Sequence, residues 1–453
     1  MTYSIIQKSQ LEGASRLDAE YYQPEYLAMA KTLTSSSGLM LGEIAFITDG
    51  EHGSPAYDED SGIKYYSGQF IEDGYLLHEG MHCIDKRIDE KNKRSRLAEG
   101  SILLSIVGTV GKAGIVQKEN LPGNTDRNVA TIKITNKKYS PKFITPYLLS
   151  RYGTFQTERE VAGNVQPIMI LYKVRDIVIP DINTSAQIEV SELFDKYLAL
   201  VRNAETLYSQ AEQLLLEELG LEDTQFGEDL AYSVKFSDVK TAGRMDADYF
   251  QPKYEKLMEQ VASHGGRPLG EIVSVKKGVE PGAEAYRDEG KLFIRVSSIS
   301  KQGVTDKDQK YLGEKLYKEL KETYQPRVGE ILLTKDASPG MAYVLKEPIE
   351  GIVSGGVLRL KAKEDIGPEY IALCINSSVG QMQVERDAGG SVIAHWKPEQ
   401  VKSMLIPILP KPIQQKIADL VRQSYEARKK SKELLESAKH KVEELIESGE
   451  RRH

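Results

Sequence analysis

A long internal repeat constrains the fold of this chain more than any other feature. Residues 16–26 (RLDAEYYQPEY) recur as residues 244–254 (RMDADYFQPKY), and residues 41–44 (LGEI) recur unchanged as residues 269–272. Each copy of the repeat covers about half of the 453-residue chain. This length is far beyond the roughly 20–50 residues of one solenoid unit. The sequence therefore predicts two copies of a whole domain.

Each copy carries the signals of a mixed α/β domain. The run from Ile102 to Val107 is rich in β-branched residues and is followed by glycines, and Ile331 to Thr334 is its counterpart. Residues 131–134 and 357–361 alternate apolar and polar positions, as strands do. The predicted fold class is α+β, with two mixed α/β domains related by an internal pseudo-twofold repeat.

A long helix with heptad spacing is predicted at the end of each copy. Its apolar and small residues are three and four positions apart, which is the pattern of a coiled-coil seam. The predicted seam residues are Val190, Leu193, Tyr197, Leu200, Ala204, Leu207, Ala211 and Leu214, and then Ile417, Leu420, Ser424, Ala427, Ser431, Leu434, Ala438 and Leu445, with Lys441 as an exception. We expect the two helices to pair antiparallel within one chain.

The two predicted helices carry opposite charge. Acidic residues dominate from Glu189 to Asp229, and basic residues dominate from Lys411 to Arg452. Opposite charges beside two apolar seams favour pairing of one helix with the other over self-pairing. The alternative interpretation is that each run is simply a solvated helix face.

Composition bounds the class of protein. The chain has 453 residues, enough for two or three domains, with a formal net charge of −7 and only two cysteines, so no disulfide framework is expected. No apolar run reaches the roughly 18 residues of a membrane span, and no signal-peptide pattern is present near Met1. We therefore expect a cytoplasmic protein. The net acidity argues against nucleic acid binding unless basic clusters occur locally.

Sequence motifs of catalysis are missing. The glycine-rich stretch at 108–113 lacks the glycine spacing of a phosphate-binding loop and the hydroxyl residue that should follow Lys112. The methyltransferase motif and a Rossmann fingerprint are also missing. Residues 58–60 and 85–91 contain the acids and the lysine that a nuclease needs, but such spacing is common on protein surfaces. His78, His82 and Cys83 have metal-ligand spacing without an obvious fourth ligand. We predict no catalytic residues and no metal site.

The layout resembles the specificity subunits of type I restriction–modification enzymes. The resemblance spans essentially the whole chain. It depends on the Arg-x-Asp-x-x-Tyr-x-x-Pro boxes, on the Gly-x-Ile-Leu-Leu strands at Gly100 and Gly329, and on the Ile-Pro-to-helix junctions at Pro180 and Pro407.

That resemblance implies the organisation and the partners. It implies target recognition domains over residues 1–182 and 223–409, a central spacer helix over 183–222 and a C-terminal spacer helix over 410–453. It further implies double-stranded DNA, two DNA methyltransferase subunits and translocating restriction subunits as partners. S-adenosylmethionine, ATP and magnesium are expected on those partner subunits, with no cofactor in this chain.

DNA contacts are predicted from residue type and from position next to strand ends. Arg, Lys, Gln, Ser and Thr read base edges, and Lys and Arg also bind phosphates. The predicted DNA-binding residues are Ser67, Gln69, Lys91, Lys93, Arg94, Arg96, Thr109 and Lys112 in the first copy, and Arg295, Ser297, Ser298 and Lys335 in the second.

Three rival interpretations remain open at this stage. One is a coiled-coil scaffold with duplicated protein-interaction domains and no DNA binding. Another is an enzyme, such as a nuclease, whose acidic residues are scattered. The third is a relative that recognises DNA for a methyltransferase alone, which the sequence cannot separate from the main interpretation because the nuclease would be another chain.

Overall fold

The computed structural model describes most of the chain. The described residues are 3–9, 11, 16–34, 38–163, 166–222, 224, 226–305, 309–363, 365–388 and 394–448. The outer ends of the first and last predicted domains, residues 1–2 and 449–453, lie outside them. The chain divides into two compact units, Met1–Val201 with Lys429–His453, and Arg202–Arg428. Each long helix therefore contributes one part of its length to each unit.

The first unit is built on a four-stranded antiparallel sheet. Its strand order is Ala45–Thr48, Val129–Ile134, Ile102–Ser105, Ala113–Ile115. Every residue of Ile102–Ser105 is buried, because the strand is central and is covered on both faces. Beside the sheet, Lys64–Tyr66 pairs in parallel with Gly123–Thr125.

The remaining elements of the first unit are short. The strand pair Leu39–Met40 with Val178–Ile179 closes the unit before the central helix. The helices are Pro24–Thr34, Leu41–Ile44, Lys86–Lys91, Pro141–Leu149, Arg151–Arg159 and Leu171–Arg175, with 3-10 turns at Ala19–Tyr22, Glu59–Ser61, Gly68–Phe70, Lys93–Ser95 and Lys118–Asn120.

The second unit repeats the sheet in the same order. Its strands are Val273–Lys277, Val357–Ala362, Ile331–Thr334 and Ala342–Val344. Again the central strand Ile331–Thr334 is buried throughout. In place of the short parallel ribbon stands a second four-stranded sheet, ordered Tyr286–Arg287, Lys310–Leu312, Lys291–Ile294, Gly351–Val353.

Smaller elements complete the second unit. The strand pairs are Arg267–Pro268 with Leu405–Ile406, Ile299–Ser300 with Gly303–Val304, and Asp336–Ala337 with Ala394–His395. The helices are Phe236–Ala242, Pro252–Ser263, Leu269–Ile272, Glu314–Tyr324, Pro368–Asn376, Ser378–Asp387 and Pro398–Ser403, with 3-10 turns at Asp248–Phe250, Ala283–Ala285 and Val296–Ser298.

Matching side-chain contacts confirm the internal repeat at atomic detail. In the first unit the amide of Gln156 accepts a hydrogen bond from Val178 N at 2.8 Å and donates to Val178 O at 3.3 Å. In the second unit Gln383 makes the same two bonds to Leu405 N and O, at 2.8 and 3.0 Å. A glutamine thus holds the strand before each long helix in the same way.

The long helices are Thr184–Glu218, called the central helix, and Lys411–Glu447, called the C-terminal helix. In the first unit the early part of the central helix packs against the late part of the C-terminal helix, and Lys441 Nζ lies 3.0 Å from a Glu189 carboxylate oxygen. In the second unit the order is reversed, and Ser424 Oγ donates to Ala204 O at 2.7 Å. The antiparallel pairing predicted from the heptads is confirmed.

Five of the sixteen predicted seam positions are wrong by one residue. The buried seam residues of the central helix are Val190, Phe194, Tyr197, Val201, Ala204, Ala211 and Leu215, and those of the C-terminal helix are Ile417, Val421, Ser424, Ala427, Ser431, Leu435, Ala438, Val442 and Leu445. Leu193, Leu200, Leu420 and Leu434 are half-buried at the edge of the seam. Val442 is buried at the seam position that the sequence assigned to Lys441. The heptad pattern is therefore not interrupted by a lysine at this point.

In the part of the chain that the structure describes, no helix is long and apolar enough to cross a membrane.

Candidate nucleic-acid interface

Three loops of the first unit meet beside its sheet, and we call them the first loop cluster. They are residues 67–70, 106–112 and 126–128. Asp126 N donates to Tyr66 O at 3.1 Å, which ties the third loop to the strand before the first. Ile106 N donates to Asn128 O at 2.9 Å, which ties the second loop to the third. Backbone hydrogen bonds therefore hold the cluster together.

The second unit builds the same arrangement, called here the second loop cluster. Its loops are residues 295–298, 335–341 and 354–356. Ser354 N donates to Ile294 O at 2.9 Å, and Lys335 N donates to Gly356 O at 2.9 Å. These bonds reproduce the two of the first cluster, atom for atom along the backbone.

The side chains on this common scaffold differ. The sequence Asp-Arg-Asn at 126–128 is replaced by Ser-Gly-Gly at 354–356. Ser67 and Gln69, on the first turn, correspond to Arg295 and Ser297. A fixed backbone with exchanged side chains can present different hydrogen-bonding groups without changing the fold.

Four predicted residues of the first unit come together in this cluster. Gln69 and Thr109 are exposed, and Ser67 is half-buried at the start of its helical turn. Lys112 is half-buried, and its Nζ lies 2.6 Å from a Glu72 carboxylate oxygen. The cluster thus offers hydroxyl, amide and ammonium groups within one region.

The basic run at 91–96 lies next to the cluster, but its charges are paired with acids. Each of its four cations has a carboxylate within about 3 Å, so the run adds little free positive charge. The pairs are Lys91–Glu51 at 3.1 Å, Lys93–Glu90 at 2.7 Å, Arg94–Asp49 at 3.1 Å and Arg96–Asp89 at 2.6 Å.

Glu51 anchors this run to the loop cluster. Its carboxylate is 6 % exposed and accepts hydrogen bonds from Asn92 Nδ2 at 2.6 Å, from Gly53 N at 2.8 Å and from Lys91 Nζ. The bond from Asn92, followed by that from Gly53, lowers the pKa of Glu51 to about 2. Its backbone O accepts from Arg127 N at 3.0 Å, so the same residue fixes the third loop.

The second loop cluster surrounds a cleft of about 600 Å³. Arg295 and Ser297 line the cleft together with the carboxylates of Glu280 and Asp336. Lys335 pairs with Asp336, and His395 Nδ1 lies 2.8 Å from a carboxylate oxygen of the same aspartate. Although burial alone would raise it, the pKa of Asp336 is lowered by these two hydrogen-bond partners.

One predicted residue requires a correction. The Ser298 side chain is fully buried, and its Oγ accepts a hydrogen bond from Arg295 N at 3.3 Å. Ser298 therefore supports the turn from inside and presents no surface. Its position in a 3-10 turn, which the sequence pattern did not reveal, turns it inward while Ser297 faces solvent.

Sequence reasoning missed Arg127. This arginine is exposed on the third loop, and within the described residues its side chain has no hydrogen bond or ion pair. The available signal was a polar Asp-Arg-Asn turn directly before the strand Val129–Ile134. Among the described residues, His78, His82 and Cys83 belong to no group of three His, Cys, Asp or Glu side chains placed to hold an ion.

Comparison with known proteins gives a family match within the second half of the chain. Residues 266–437 match the family model described as the type I restriction modification DNA specificity domain. Those residues are therefore similar in sequence to the specificity domain of type I systems. The resemblance seen in the sequence to type I specificity subunits is thereby confirmed. Because the first unit repeats the sheet order of the second, the fold of the specificity domain is present twice.

A curated relative matches more narrowly. The chain is 29 % identical over 163 residues to the "Type I restriction enzyme EcoBI specificity subunit" of Escherichia coli. The match covers 35 % of this chain and 31 % of that protein, so the chain spans about a third of the relative's length.

Solved structures of two specificity subunits align along nearly the whole chain. The S subunit of a type I system from M. genitalium is 12 % identical, with 92 % of this chain and 95 % of that chain covered and a TM-score of 0.39. The HsdS subunit from Thermoanaerobacter tengcongensis is 14 % identical, with 91 % and 96 % covered and a TM-score of 0.28.

Proposed function

We propose that this chain is the DNA sequence-reading subunit of a type I restriction–modification complex. Each unit reads one half of a split, asymmetric DNA site through its loop cluster. The observation that carries the proposal is the pair of loop clusters, which share backbone hydrogen bonds and differ in side chains. Two readers with one scaffold and different surface groups suit two unlike half-sites.

The two long helices set the gap between the half-sites. The central helix has 35 residues, which corresponds to roughly 50 Å at about 1.5 Å per residue. Protein readers on one face of duplex DNA favour separations near one turn, about 34 Å, or multiples of it. In this proposal helix length is converted into the length of the unread spacer.

Catalysis belongs to partner chains. Two DNA methyltransferase subunits dock on the helices and the recognition domains, and translocating restriction subunits join them. These partners hold S-adenosylmethionine, ATP and magnesium. The described part of this chain offers two polar loop clusters and no group of residues that could hold a metal.

Methylation mapping tests the proposal directly. The full chain is expressed with its cognate methyltransferase subunit, and modified bases are mapped over a whole genome by sequencing. We expect one bipartite motif with two unlike halves around a gap of fixed length. A continuous palindromic motif, or no motif at all, would contradict the proposal.

One alternative is supported by the charge pairing at the interface. The cations at 91–96 and Lys112 are neutralised by carboxylates, and the second cleft contains Glu280 and Asp336. This favours a scaffold with duplicated protein-interaction domains. Such a scaffold would bind DNA weakly or not at all, whereas a DNA reader loses affinity steeply as salt rises. Titrating the assembled complex against DNA at several salt concentrations separates the two.

A further inference from the structure

Arg127 occupies a position from which a side chain can reach a ligand. It lies at the middle of the three-residue loop 126–128, between the end of one strand and the start of the next. Asp126 accepts two hydrogen bonds from Asn128, both at 2.9 Å, one from the backbone N and one from the side-chain amide. The acid of this loop is therefore used to fix the turn, and the arginine is left to face solvent.

The loop is also fixed from outside. Asp126 N is bound to Tyr66 O, and Arg127 N is bound to Glu51 O at 3.0 Å. Glu51 is itself held by Asn92 and Lys91. A rigid loop reduces the conformational entropy that an arginine loses when it binds a planar partner.

Arg127 differs from the other cations of this region. Lys91, Arg94 and Lys112 each have a carboxylate within 3.1 Å. The guanidinium of Arg127 makes no ion pair within the described residues, so its five donors are available to an outside acceptor. Arg127 therefore does not have to break an existing salt bridge in order to bind a ligand.

The second unit carries the opposite charge at the matching place. Gly355 corresponds to Arg127, since its N–H donates to Val279 O at 3.0 Å as that of Arg127 does to Glu51 O. A Cβ built on Gly355 would lie 2.8 Å from Glu280 Oε1. A carboxylate therefore lies beside the backbone position that carries the arginine in the first unit, and the two loops present side chains of opposite charge.

We propose that Arg127 is a base-reading residue that recognises a guanine in the half-site of the first unit. The proposal rests on the proposed function. Guanine presents two acceptors, O6 and N7, in the major groove, and the arginine fork matches both, which makes this pair the commonest specific contact between proteins and DNA. The carboxylate of Glu280 can only accept, so the second unit lacks this preference at the equivalent loop.

The test uses the full chain in complex with its methyltransferase subunit, with genome-wide methylation mapping as the readout. Arg127→Ala should relax one guanine position in one half-site, with a loss of preference of about 5- to 150-fold. Arg127→Lys keeps the charge but lacks the planar fork, so it should relax the same position. The other half-site and the gap should be unchanged in both variants.

Lys118→Ala is the matched control. Lys118 is an exposed cation in the same unit, in the turn that precedes the strand Gly123–Thr125, whereas Arg127 follows that strand. The control should leave the motif as in the wild type. Thermal midpoints equal to the wild type verify that the variants fold, as expected for an exposed side chain.

Two outcomes would overturn the proposal. One is an unchanged motif in Arg127→Ala. The other is a uniform loss of methylation at all sites without relaxation at any base, which indicates a phosphate contact. Failure of the proposed function itself gives a different result, because the wild-type complex would then yield no bipartite motif.

Discussion

Glu51 connects the basic run of the first unit to its loop cluster through a small network of hydrogen bonds. The carboxylate holds Asn92 and Lys91 from the helix side, and the backbone O of the same residue holds the loop at Arg127. A nearly buried carboxylate with this many donors stabilises the fold only while it is charged.

Replacing Glu51 by Gln should therefore destabilise the protein in a pH-dependent way. We expect a loss of about 1.5–3 kcal/mol at pH 7, because hydrogen bonds to a charged acceptor are lost. The folded pKa of about 2 lies below the ordinary value of 4.5. The stabilisation is thus complete above about pH 4.5 and disappears as the pH falls toward 2. Urea midpoints at pH 7 and pH 3 measure the change.

Glu99→Gln is the control for that experiment, since Glu99 is exposed. Its effect should stay within about 0.5 kcal/mol at both pH values. An equal loss for Glu51→Gln at pH 7 and at pH 3 would show that shape, not charge, accounts for the role of Glu51.

The residues of the interface were only partly predictable. The turns at Ser67 and Arg295 were proposed from their residue types, although the strands before them, Lys64–Tyr66 and Lys291–Ile294, were not predicted. The neutralisation of Lys91 and Arg94 was not visible, because their partners Glu51 and Asp49 lie about 40 residues earlier and meet them only in the folded unit. Long-range ion pairs leave no local pattern.

At the scale of elements, the buried residues in the seam between the long helices determine which faces of the two helices pack together. Val442 is fully buried in the cluster that also contains Val190 and Phe194. Leu434 is only half-buried and packs against the edge of that cluster. The heptad pattern is ambiguous here. A seam through the leucines at 193, 200 and 434 and a seam through their neighbours at 194, 201 and 435 both alternate spacings of three and four residues. Burial, which decides between the two frames, depends on the partner helix.

Val442→Asp should be strongly destabilising. An unpaired carboxylate in this seam costs about 3–5 kcal/mol. Ser437→Asp on the exposed face of the same helix should change stability by less than about 0.5 kcal/mol. Thermal unfolding of the full chain measures both. Similar midpoints for the two variants would rule out the observed seam.

The close approach of two helices in the second unit depends on Gly380. A Cβ at this position would lie 2.2 Å from Ile375 O and 2.4 Å from Cys374 O, and both are rigid backbone atoms. Gly153 meets the corresponding carbonyls in the first unit, at 2.3 and 2.4 Å. The glycine permits the tight turn from one helix into the next in both units.

Gly380→Ala should lower stability by about 1–3 kcal/mol, although alanine favours helix by up to about 1 kcal/mol elsewhere. Gly313→Ala is the matched control, because a Cβ there would meet open space and φ is −64°. Urea midpoints of the two variants give the comparison. A stabilising effect at residue 380 would contradict the close contact.

At the scale of the whole molecule, duplication is the organising principle. The repeat of the opening box and of the LGEI motif was enough to predict two related domains, and heptad spacing predicted the two long helices. The second sheet of the second unit was not predicted, because its strands, such as Lys291–Ile294, belong to the segment in which the two copies differ most. Divergence therefore removes the internal comparison in this segment.

Exchange of a recognition segment should change half of the target. Replacing residues 38–165 by the same segment of a relative should alter one half-site and leave the other half and the gap intact. Methylation mapping of the assembled complex provides the readout. A swap that altered both halves would refute independent reading.

Arg295→Ala should relax recognition in the half-site read by the second unit. If the arginine makes a bidentate base contact, the discrimination against the wrong base should fall by about 1–3 kcal/mol. Arg287→Ala, an exposed change in the same unit and outside the cleft, is its control. Equal motifs for Arg295→Ala and the wild type would remove Arg295 from the reading surface.

The division of the chain into units also has a consequence for biosynthesis. The first unit contains residues 1–201 and, in addition, the segment that begins at Lys429. Leu435, Ala438 and Val442 of that segment are buried in its core. During synthesis on the ribosome, the first unit cannot complete its core until the segment from Lys429 is made, more than two hundred residues after residue 201. That delay is roughly 10–50 s at ordinary elongation rates. The second unit, whose residues are contiguous, can finish folding first, so the order of completion is the reverse of the order of synthesis.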